Sequence, residues 1–186
     1  MVLIYRYGVM NSGKTANLLM EAYSYKHSNK QVLLLKPDVD NRFGVENIQS
    51  RNGYSMKADR IITQHDDLFE ILKDAHVDCV FIDECQFLTP EHVVQLRNLT
   101  CKVVCHGLKT DYLLELFPAS KRLLELADDI HEFEGVCVTC TNKAIINAKF
   151  IKDDTGVKHV VRIGSHDIDV GAEEKYQAMC FTCWSA

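Results

Sequence analysis

Residues 2–15 read VLIYRYGVMNSGKT, and this segment decides the fold that the rest of the chain completes. An apolar, β-prone run over residues 2–7 leads into a glycine-containing loop, and a helical pattern follows from Thr15. Residues 8–15 match G-x-x-x-x-G-K-[ST] in full, the pattern of a phosphate-binding loop between a strand and a helix. The alternative is a glycine turn that carries Lys14 and Thr15 by chance. The strand before the loop and the helix after it favour phosphate binding.

The chemistry of such a loop gives each part of the motif a role. Backbone N–H groups and the N-terminus of the next helix present partial positive charge to an anion. We expect Lys14 to reach the β- and γ-phosphates of ATP, and Thr15 to place its hydroxyl on Mg²⁺. The predicted loop comprises Gly8, Val9, Met10, Asn11, Ser12, Gly13, Lys14 and Thr15.

Strand and helix patterns alternate from the N-terminus to about residue 135. Apolar runs at 32–35, 79–82 and 102–105 are typical of parallel strands covered on both faces. Helical patterns occupy 15–30, 66–75, 90–98 and 118–128, and Thr89 followed by Pro90 is a helix-start signal. This alternation predicts an α/β fold with a parallel sheet.

Two acids, Asp83 and Glu84, end the apolar run at 79–82. Ligands of parallel α/β sheets gather beyond the carboxyl ends of the strands, so these acids are expected to face a cleft. Asp83 is then placed to hold Mg²⁺, directly or through water, and Glu84 to accept a proton from an attacking hydroxyl or water. The alternative is a solvated strand end, where acids are common.

Two C-x₂-C pairs lie near the C-terminus, at Cys137/Cys140 and Cys180/Cys183. Two such pairs complete a tetrahedral thiolate site for Zn²⁺, and four protein ligands make the site structural. A redox dithiol is the alternative for either pair alone. The remaining four of the eight cysteines are interpreted as buried thiols.

The fold class that follows is α/β: a P-loop, RecA-like parallel sheet with helices on both faces, plus a small C-terminal zinc-ribbon β domain. Short β-like stretches and a hairpin signal at residues 153–156 distinguish the C-terminal part. We therefore predict a nucleotide-binding domain over residues 1–135 and a zinc-ribbon domain over 136–186; the family resemblance given below adds a substrate-closing loop to the second.

Composition and charge narrow the classes of partner. The chain has 186 residues and a formal net charge of −5, and it carries no basic stripe, so nucleic acid is not expected as the main partner. It shows neither the pattern of a signal peptide nor an apolar run of about 20 residues, so no membrane association is expected. A cytoplasmic location is predicted, where thiols stay reduced.

These motifs together resemble the zinc-containing, P-loop type of thymidine kinase found in bacteria, large DNA viruses and animal cytosol. Residues 8–15, including Met10 and Ser12, resemble the family's phosphate loop, and residues 81–88 resemble its Asp-Glu-x-Gln-Phe segment. Residues 107–112, continuing to 117–118, resemble its substrate-pocket segment, and 170–176 resemble the loop that closes over the base. The four cysteine positions match as well.

The resemblance implies phosphorylation of the 5′-hydroxyl of thymidine by ATP, in pyrimidine salvage for DNA synthesis. Glu84 would be the general base, with Lys14 and Arg42 as the other catalytic residues, and Arg42 would stabilise charge on the transferring phosphate. Asp83 and Gln86 would join the phosphate loop in holding Mg²⁺ and ATP. The implied substrate-binding residues are Met10, Asp40, Phe87, Leu108, Tyr112, Phe117, Val170, Gly171 and Tyr176. The resemblance also implies a homotetramer and feedback inhibition by dTTP.

Two other function classes fit parts of the same pattern. A RecA-like ATPase whose zinc ribbon grips nucleic acid would use the same loop and cysteines, but the acidic charge and the short chain count against it. A zinc-bearing module that binds nucleotide only structurally is the third. Leu108, Phe87 and Phe117 would be ordinary core residues in most proteins, so their place in a pocket depends on the resemblance.

Overall fold

The computed structural model describes residues 2–41, 44, 46–73, 75–164 and 175–186, and these contain thirteen β-strands and five α-helices. The strands are β1 (Val2–Gly8), β2 (Val32–Pro37), β3 (Asn47–Gln49), β4 (Ser55–Lys57), β5 (Arg60–Ile62), β6 (Cys79–Ile82), β7 (Lys102–Gly107), β8 (Asp129–Phe133), β9 (Gly135–Val136), β10 (Lys143–Ala144), β11 (Ile146–Lys152), β12 (Lys158–Val160) and β13 (Tyr176–Met179). The helices are α1 (Lys14–His27), α2 (Leu68–Leu72), α3 (Pro90–Arg97), α4 (Pro118–Leu126) and α5 (Phe181–Ser185). Cys85–Phe87 form a 3₁₀ turn.

Six strands form one sheet in the order β5-β2-β6-β7-β1-β8. All five neighbouring pairs are parallel, so the carboxyl ends of all six strands lie at the same edge. The predicted α/β fold with a parallel sheet is confirmed. β8 was not anticipated as a strand, because its mostly exposed sequence DIHEF lacks the apolar run that marks the central strands.

Helices cover both faces of this sheet, as predicted. Along β1, Leu3 and Tyr5 point to one face and Ile4 to the other, following the two-residue period of a strand. The face of Leu3 and Tyr5 packs against α2, α3 and α4, and the face of Ile4 packs against α1 through Leu18 and Leu19. Each fully buried Leu of these layers contributes roughly 1.5–3 kcal/mol relative to exposure.

The start of α3 follows the predicted capping chemistry. The Oγ1 atom of Thr89 accepts a hydrogen bond of 3.1 Å from the backbone N–H of His92, and Pro90 is the first helical residue. The Nδ1 atom of His92 accepts from the backbone N–H of Thr89 at 3.3 Å. Both N–H groups at this helix start are therefore bonded by side chains.

The C-terminal part is built from antiparallel strands. β9 pairs with β10, and β12, β11 and β13 form a three-stranded sheet. The turn between β11 and β12 includes residues 153–156, so the predicted hairpin is confirmed. The change from a parallel sheet to small antiparallel ones lies close to residue 135, and the division into two domains there stays a prediction. In the part of the chain described here, no helix is both long and apolar enough to cross a bilayer.

Candidate functional site

The predicted site residues follow four neighbouring strands at the carboxyl edge of the sheet. The phosphate loop follows β1, Asp40 follows β2, the acid pair Asp83-Glu84 follows β6, and Leu108 follows β7. In the sheet these strands lie in the order β2-β6-β7-β1, with no other strand between them. The topology therefore gathers segments from across the first 108 residues at one edge.

The phosphate loop has the backbone that its sequence predicts. Gly13 has φ of +82°, in the left-handed region where a side chain is costly, and helix α1 begins at the next residue. The Oγ atom of Ser12 and the Nζ atom of Lys14 donate to the backbone carbonyl of Val9 at 2.8 and 2.7 Å. The lysine ammonium is thus held within its own loop, beside the N-terminus of α1.

The phosphate loop and the acid pair meet through Thr15 and Asp83. The Oγ1 atom of Thr15 lies 3.1 and 3.2 Å from the two carboxylate oxygens of Asp83. A hydroxyl and a carboxylate side by side are the hard oxygen donors that Mg²⁺ takes in phosphate sites. Burial, followed by the nearby charge of Glu84, raises the pKa of Asp83 to about 7, against which the Thr15 hydrogen bond works. A cation at this position would favour the charged carboxylate.

Glu84 follows Asp83 at the same edge of the sheet and is almost fully buried. Its φ of 51° places a non-glycine residue in the left-handed region, a strained geometry that is concentrated at functional sites. The Nε2 atom of Gln86 donates to its carboxylate at 2.6 Å. The Oε1 atom of the same glutamine accepts from the backbone N–H of Leu108 at 2.9 Å.

Asp40 is buried and paired with Lys36, a residue that the sequence analysis did not single out. The Nζ atom of Lys36 lies 3.1 Å from a carboxylate oxygen of Asp40 and donates to the carbonyl of Asn47 at 2.9 Å. Lys36 itself has no exposed surface. The signal that would have found it is a lysine inside the apolar run of β2, where a buried charge requires a partner.

Two further buried polar residues support the phosphate loop. The backbone N–H of Met10 donates to Oδ1 of Asn147 in β11 at 2.7 Å, which ties the loop to the C-terminal sheet. Nδ1 of His106 lies 3.0 Å from the carbonyl of Lys14, and Arg6 lies 3.4 Å from the other ring nitrogen. Burial, followed by the charge of Arg6, lowers the pKa of His106 to about 3, so the ring is neutral. No local pattern marks either residue, since both contacts join distant segments.

The predicted base-pocket aromatics form two pairs. Phe87 and Phe117 meet edge-to-face with ring centroids 6.0 Å apart, and Tyr112 lies 6.5 Å from Tyr176. The ammonium of Lys149 lies 5.0 Å from the ring centre of Tyr112 and 5.9 Å from that of Tyr176. Cation–π attraction therefore adds to the contact between the tyrosine of the β7–α4 loop and the tyrosine of β13.

The four predicted zinc ligands come together. The sulfur atoms of Cys137, Cys140, Cys180 and Cys183 all lie within 4.8 Å of one another. The Sγ atom of Cys140 is 3.7 Å from that of Cys180 and 3.6 Å from that of Cys183. These distances agree with the separation of about 3.8 Å between sulfurs that bind one tetrahedral Zn²⁺ with bonds of about 2.3 Å. Backbone N–H groups of Thr139 and Cys183 donate to the sulfurs of Cys137 and Cys180 at 3.4 Å each. The quartet therefore fits a structural Zn²⁺.

Three predicted site residues, Arg42, Val170 and Gly171, lie outside the residues that the structure describes. The other predicted site residues lie among those that the structure describes, and their roles stay predictions.

Comparison with known proteins gives one consistent result. Residues 1–184 match the family model described as Thymidine kinase. The chain is 40% identical to the thymidine kinase of Enterobacteria phage T4, across 98% of this chain and 95% of that protein. It is 39% identical to the thymidine kinase of Lactiplantibacillus plantarum (96% and 92%) and 37% identical to that of Chromobacterium violaceum (98% and 97%).

Proposed function

The chain belongs to the thymidine kinase family, and from this we propose that it transfers the γ-phosphoryl group of ATP to the 5′-hydroxyl of thymidine. One observation carries the proposal: the contact between Thr15 of the phosphate loop and Asp83 of the acid pair, at 3.1 Å. This contact supports the proposal because a phosphate bound on the loop and a hydroxyl beside Glu84 would then lie next to each other. Kinases need that arrangement, since they catalyse mainly by positioning and charge stabilisation.

The phosphate side of the reaction falls to the loop. Backbone N–H groups at the start of α1 and the ammonium of Lys14 would bind the β- and γ-phosphates of ATP. Thr15 and Asp83 would hold Mg²⁺, which when bound neutralises charge on the phosphates. Arg42 follows β2 in the sequence, and we propose that it stabilises the charge on the transferring phosphoryl group.

The hydroxyl side of the reaction falls to Glu84. Its carboxylate would accept the proton of the 5′-hydroxyl as the oxygen attacks phosphorus. The hydrogen bond from Gln86 holds that carboxylate in place at the end of β6. Asp40 would lie on the sugar side of the cleft, held by Lys36.

The thymine base is proposed to bind among the residues predicted from the family pattern. The described members form the aromatic pairs Phe87–Phe117 and Tyr112–Tyr176, with Met10 and Leu108 held by backbone hydrogen bonds. Val170 and Gly171 are proposed to bond the pyrimidine edge through their backbone groups. A flat apolar base matches such walls, since aromatic rings pack well on one another.

The remaining features of the proposal concern the whole protein. We propose a structural Zn²⁺ on the cysteine quartet, a ribbon domain over residues 136–186, feedback inhibition by dTTP, a homotetramer and a cytoplasmic location. The zinc site, the ribbon domain and the location follow from the sequence patterns, the tetramer and dTTP inhibition follow from the family, and the sulfur distances of the quartet support the zinc site.

The decisive experiment measures phosphoryl transfer from ATP to a panel of nucleosides by wild type and by Glu84→Gln. We expect transfer to thymidine, and a kcat about 10²- to 10⁴-fold lower in the variant, because the base is lost. ATP affinity should change little, since the phosphate loop is intact. The matched control is Glu125→Gln, which removes an exposed carboxylate on α4 and should keep wild-type kinetics.

Two results would contradict the proposal. If Glu84→Gln retained wild-type turnover, Glu84 would not be the base. If ATP consumption rose with single-stranded DNA and not with thymidine, the protein would be a nucleic-acid-dependent ATPase instead.

A further inference from the structure

The side chain of Gln86 forms hydrogen bonds at both of its ends. Its Nε2 atom donates to Oε2 of Glu84 at 2.6 Å, and its Oε1 atom accepts from the backbone N–H of Leu108 at 2.9 Å. Gln86 is 2% exposed, so neither bond competes with bulk water. This one residue therefore connects the acid that follows β6 to the pocket wall that follows β7.

The Leu108 end of this connection is held firmly. Its carbonyl accepts from the hydroxyl of Tyr5 at 2.9 Å and from the hydroxyl of Ser120 at 2.6 Å. Tyr5 lies in the central strand β1 and Ser120 in α4, and both are fully buried. Since its N–H and its carbonyl are both bonded, the Leu108 peptide groups provide a fixed point at the edge of the sheet.

At the Glu84 end, a hydrogen bond of the turn holds the backbone, and the carboxylate has to be oriented by side-chain contacts. The N–H of Phe87 donates to the carbonyl of Glu84 at 3.1 Å, which closes the 3₁₀ turn and maintains its left-handed φ. This bond fixes the backbone of Glu84, and the direction of its carboxylate is set by the contacts of the side chain. The bond from Gln86 is one of these contacts, and it ties the carboxylate to the fixed point at Leu108.

Gly107 is the residue that lets the two ends approach. A Cβ atom at this position would lie 2.5 Å from Oε1 of Gln86 and 2.7 Å from Sγ of Cys85. A side chain here would force the Gln86 amide and the Cys85 thiol to move, so glycine permits the close approach where β7 ends beside the 3₁₀ turn. The close approach is a built feature of the site.

We propose that Gln86 is a positioning residue, which aims the Glu84 carboxylate at the reacting hydroxyl by tying it to the anchored backbone of Leu108. This inference rests on the proposed function, in which Glu84 is the base and Leu108 lines the thymidine pocket. It differs from the sequence prediction, which grouped Gln86 with the nucleotide-binding residues. Its consequence is that base and nucleoside pocket are aligned with each other by one side chain.

The test compares two buried glutamines in the full-length protein. Gln86→Met keeps the size of the side chain and removes both hydrogen bonds. Gln95→Met is the matched control, because Gln95 is 8% exposed and accepts from the backbone N–H of Leu68 at 2.9 Å, between α3 and α2. Steady-state kinetics, zinc content and melting temperature are measured for both variants.

We expect Gln86→Met to lower kcat by about 10- to 100-fold, because a misaligned base loses much of its effect. Its KM for thymidine should rise and its KM for ATP should stay unchanged, since the bonds that hold the phosphate loop do not include Gln86. Gln95→Met should lower the melting temperature to a similar extent and leave kcat unchanged. Stability loss alone would affect both variants alike.

A second variant separates the two bonds of Gln86. Gln86→Glu keeps an acceptor for the N–H of Leu108 and puts a like charge against Glu84, so kcat should fall while KM for thymidine stays near wild type. If Gln86→Met does not fold, this variant decides the question by the same kinetics. Wild-type kcat in either folded variant, or an equal kcat loss in Gln95→Met, would overturn the inference. Failure of the wild type to phosphorylate thymidine would instead refute the proposed function.

Discussion

The cleft at the carboxyl edge of the sheet and the cysteine quartet keep their geometry in different ways. The cleft is held by hydrogen bonds within the protein, from Thr15 to Asp83, from Gln86 to Glu84, and from Leu108 to Gln86. In the quartet, four sulfur atoms lie within 4.8 Å of one another. As thiolates they would repel each other, and only a bound cation makes such an arrangement favourable.

From this contrast we infer which of the two regions depends on a bound metal ion. The cleft is stabilised by the packed six-stranded sheet beneath it, whereas the C-terminal sheets have a small core of five buried residues, two of them cysteines of the quartet. The two regions are in contact, because the backbone N–H of Met10 donates a hydrogen bond to Asn147 of β11. Three perturbations test the contrast.

Removal of zinc should have the largest effect. Binding of structural Zn²⁺ contributes roughly 10–16 kcal/mol in small metal domains. Without the metal, this free energy no longer offsets the repulsion between the four thiolates. We expect chelation, or Cys180→Ser, to abolish zinc binding and to expose the amides of β11 and β13 to rapid hydrogen exchange. The amides of β6 and β7 should remain protected. Hydrogen exchange measured by mass spectrometry, with metal analysis on the same sample, checks this.

Cys101→Ser provides the control for that measurement. Cys101 lies just before β7 and outside the quartet, so the variant should retain both zinc and protected amides in β11. If chelation unfolded the six-stranded sheet together with the C-terminal sheets, the two regions would form one cooperative unit and the contrast would be wrong.

Breaking a charge pair inside the cleft should have a smaller effect, which sharpens the contrast from the other side. Lys36→Met removes the ammonium that bonds Asp40 and the carbonyl of Asn47 while the carboxylate stays buried. We expect the free energy of unfolding to fall by about 3–5 kcal/mol, the usual cost of removing one partner of a buried pair. Denaturant unfolding of the zinc-loaded protein measures this value.

An exposed pair nearby serves as the control. Lys57 and Glu46 are 2.9 Å apart with both side chains mostly in solvent, so Lys57→Met should cost less than about 1 kcal/mol. Equal losses in the two lysine variants would mean that the buried pair does not hold the loop after β2.

The residues of the cleft and of the quartet could be predicted because each set belongs to a short sequence motif. The phosphate loop, the acid pair after an apolar run and the two C-x₂-C pairs each need only a few adjacent residues to be recognised. The parallel sheet followed because apolar runs alternated with helical patterns, as at Cys79–Ile82.

The connections between these motifs could not be predicted in the same way. Asp40 was predicted, but its partner Lys36 was missed, because the only sign of it is one lysine inside the apolar run of β2. Asn147 and His106 bond segments that lie 137 and 92 residues away along the chain. β8 was missed because an exposed edge strand needs no apolar run. Such features depend on which strands become neighbours, and periodicity does not determine that order.

The smallest effect is expected from the neutral histidine beneath the phosphate loop. The folded protein holds the pKa of His106 at about 3, because burial and the charge of Arg6 both oppose protonation. Between that value and about 6.5, the unfolded chain binds a proton that the folded chain does not, so the contribution of His106 to stability falls as pH decreases. Asp83, whose pKa is raised to about 7, contributes in the opposite sense, so the effect of His106 is the difference between wild type and a His106 variant. From pH 7.5 to pH 5 His106 alone should cost about 2 kcal/mol.

His106→Asn should remove most of that pH dependence, since its amide can still donate to the carbonyl of Lys14 without titrating. His76→Gln, at an exposed position, should keep the wild-type slope. Unfolding free energies at pH 5 and pH 7.5 for the zinc-loaded variants give the answer. If the unfolding free energy of His106→Asn changed with pH as much as that of wild type, the pH dependence would originate in other groups. The buried contacts of His106 would then contribute less to the stability of the cleft than the structure indicates.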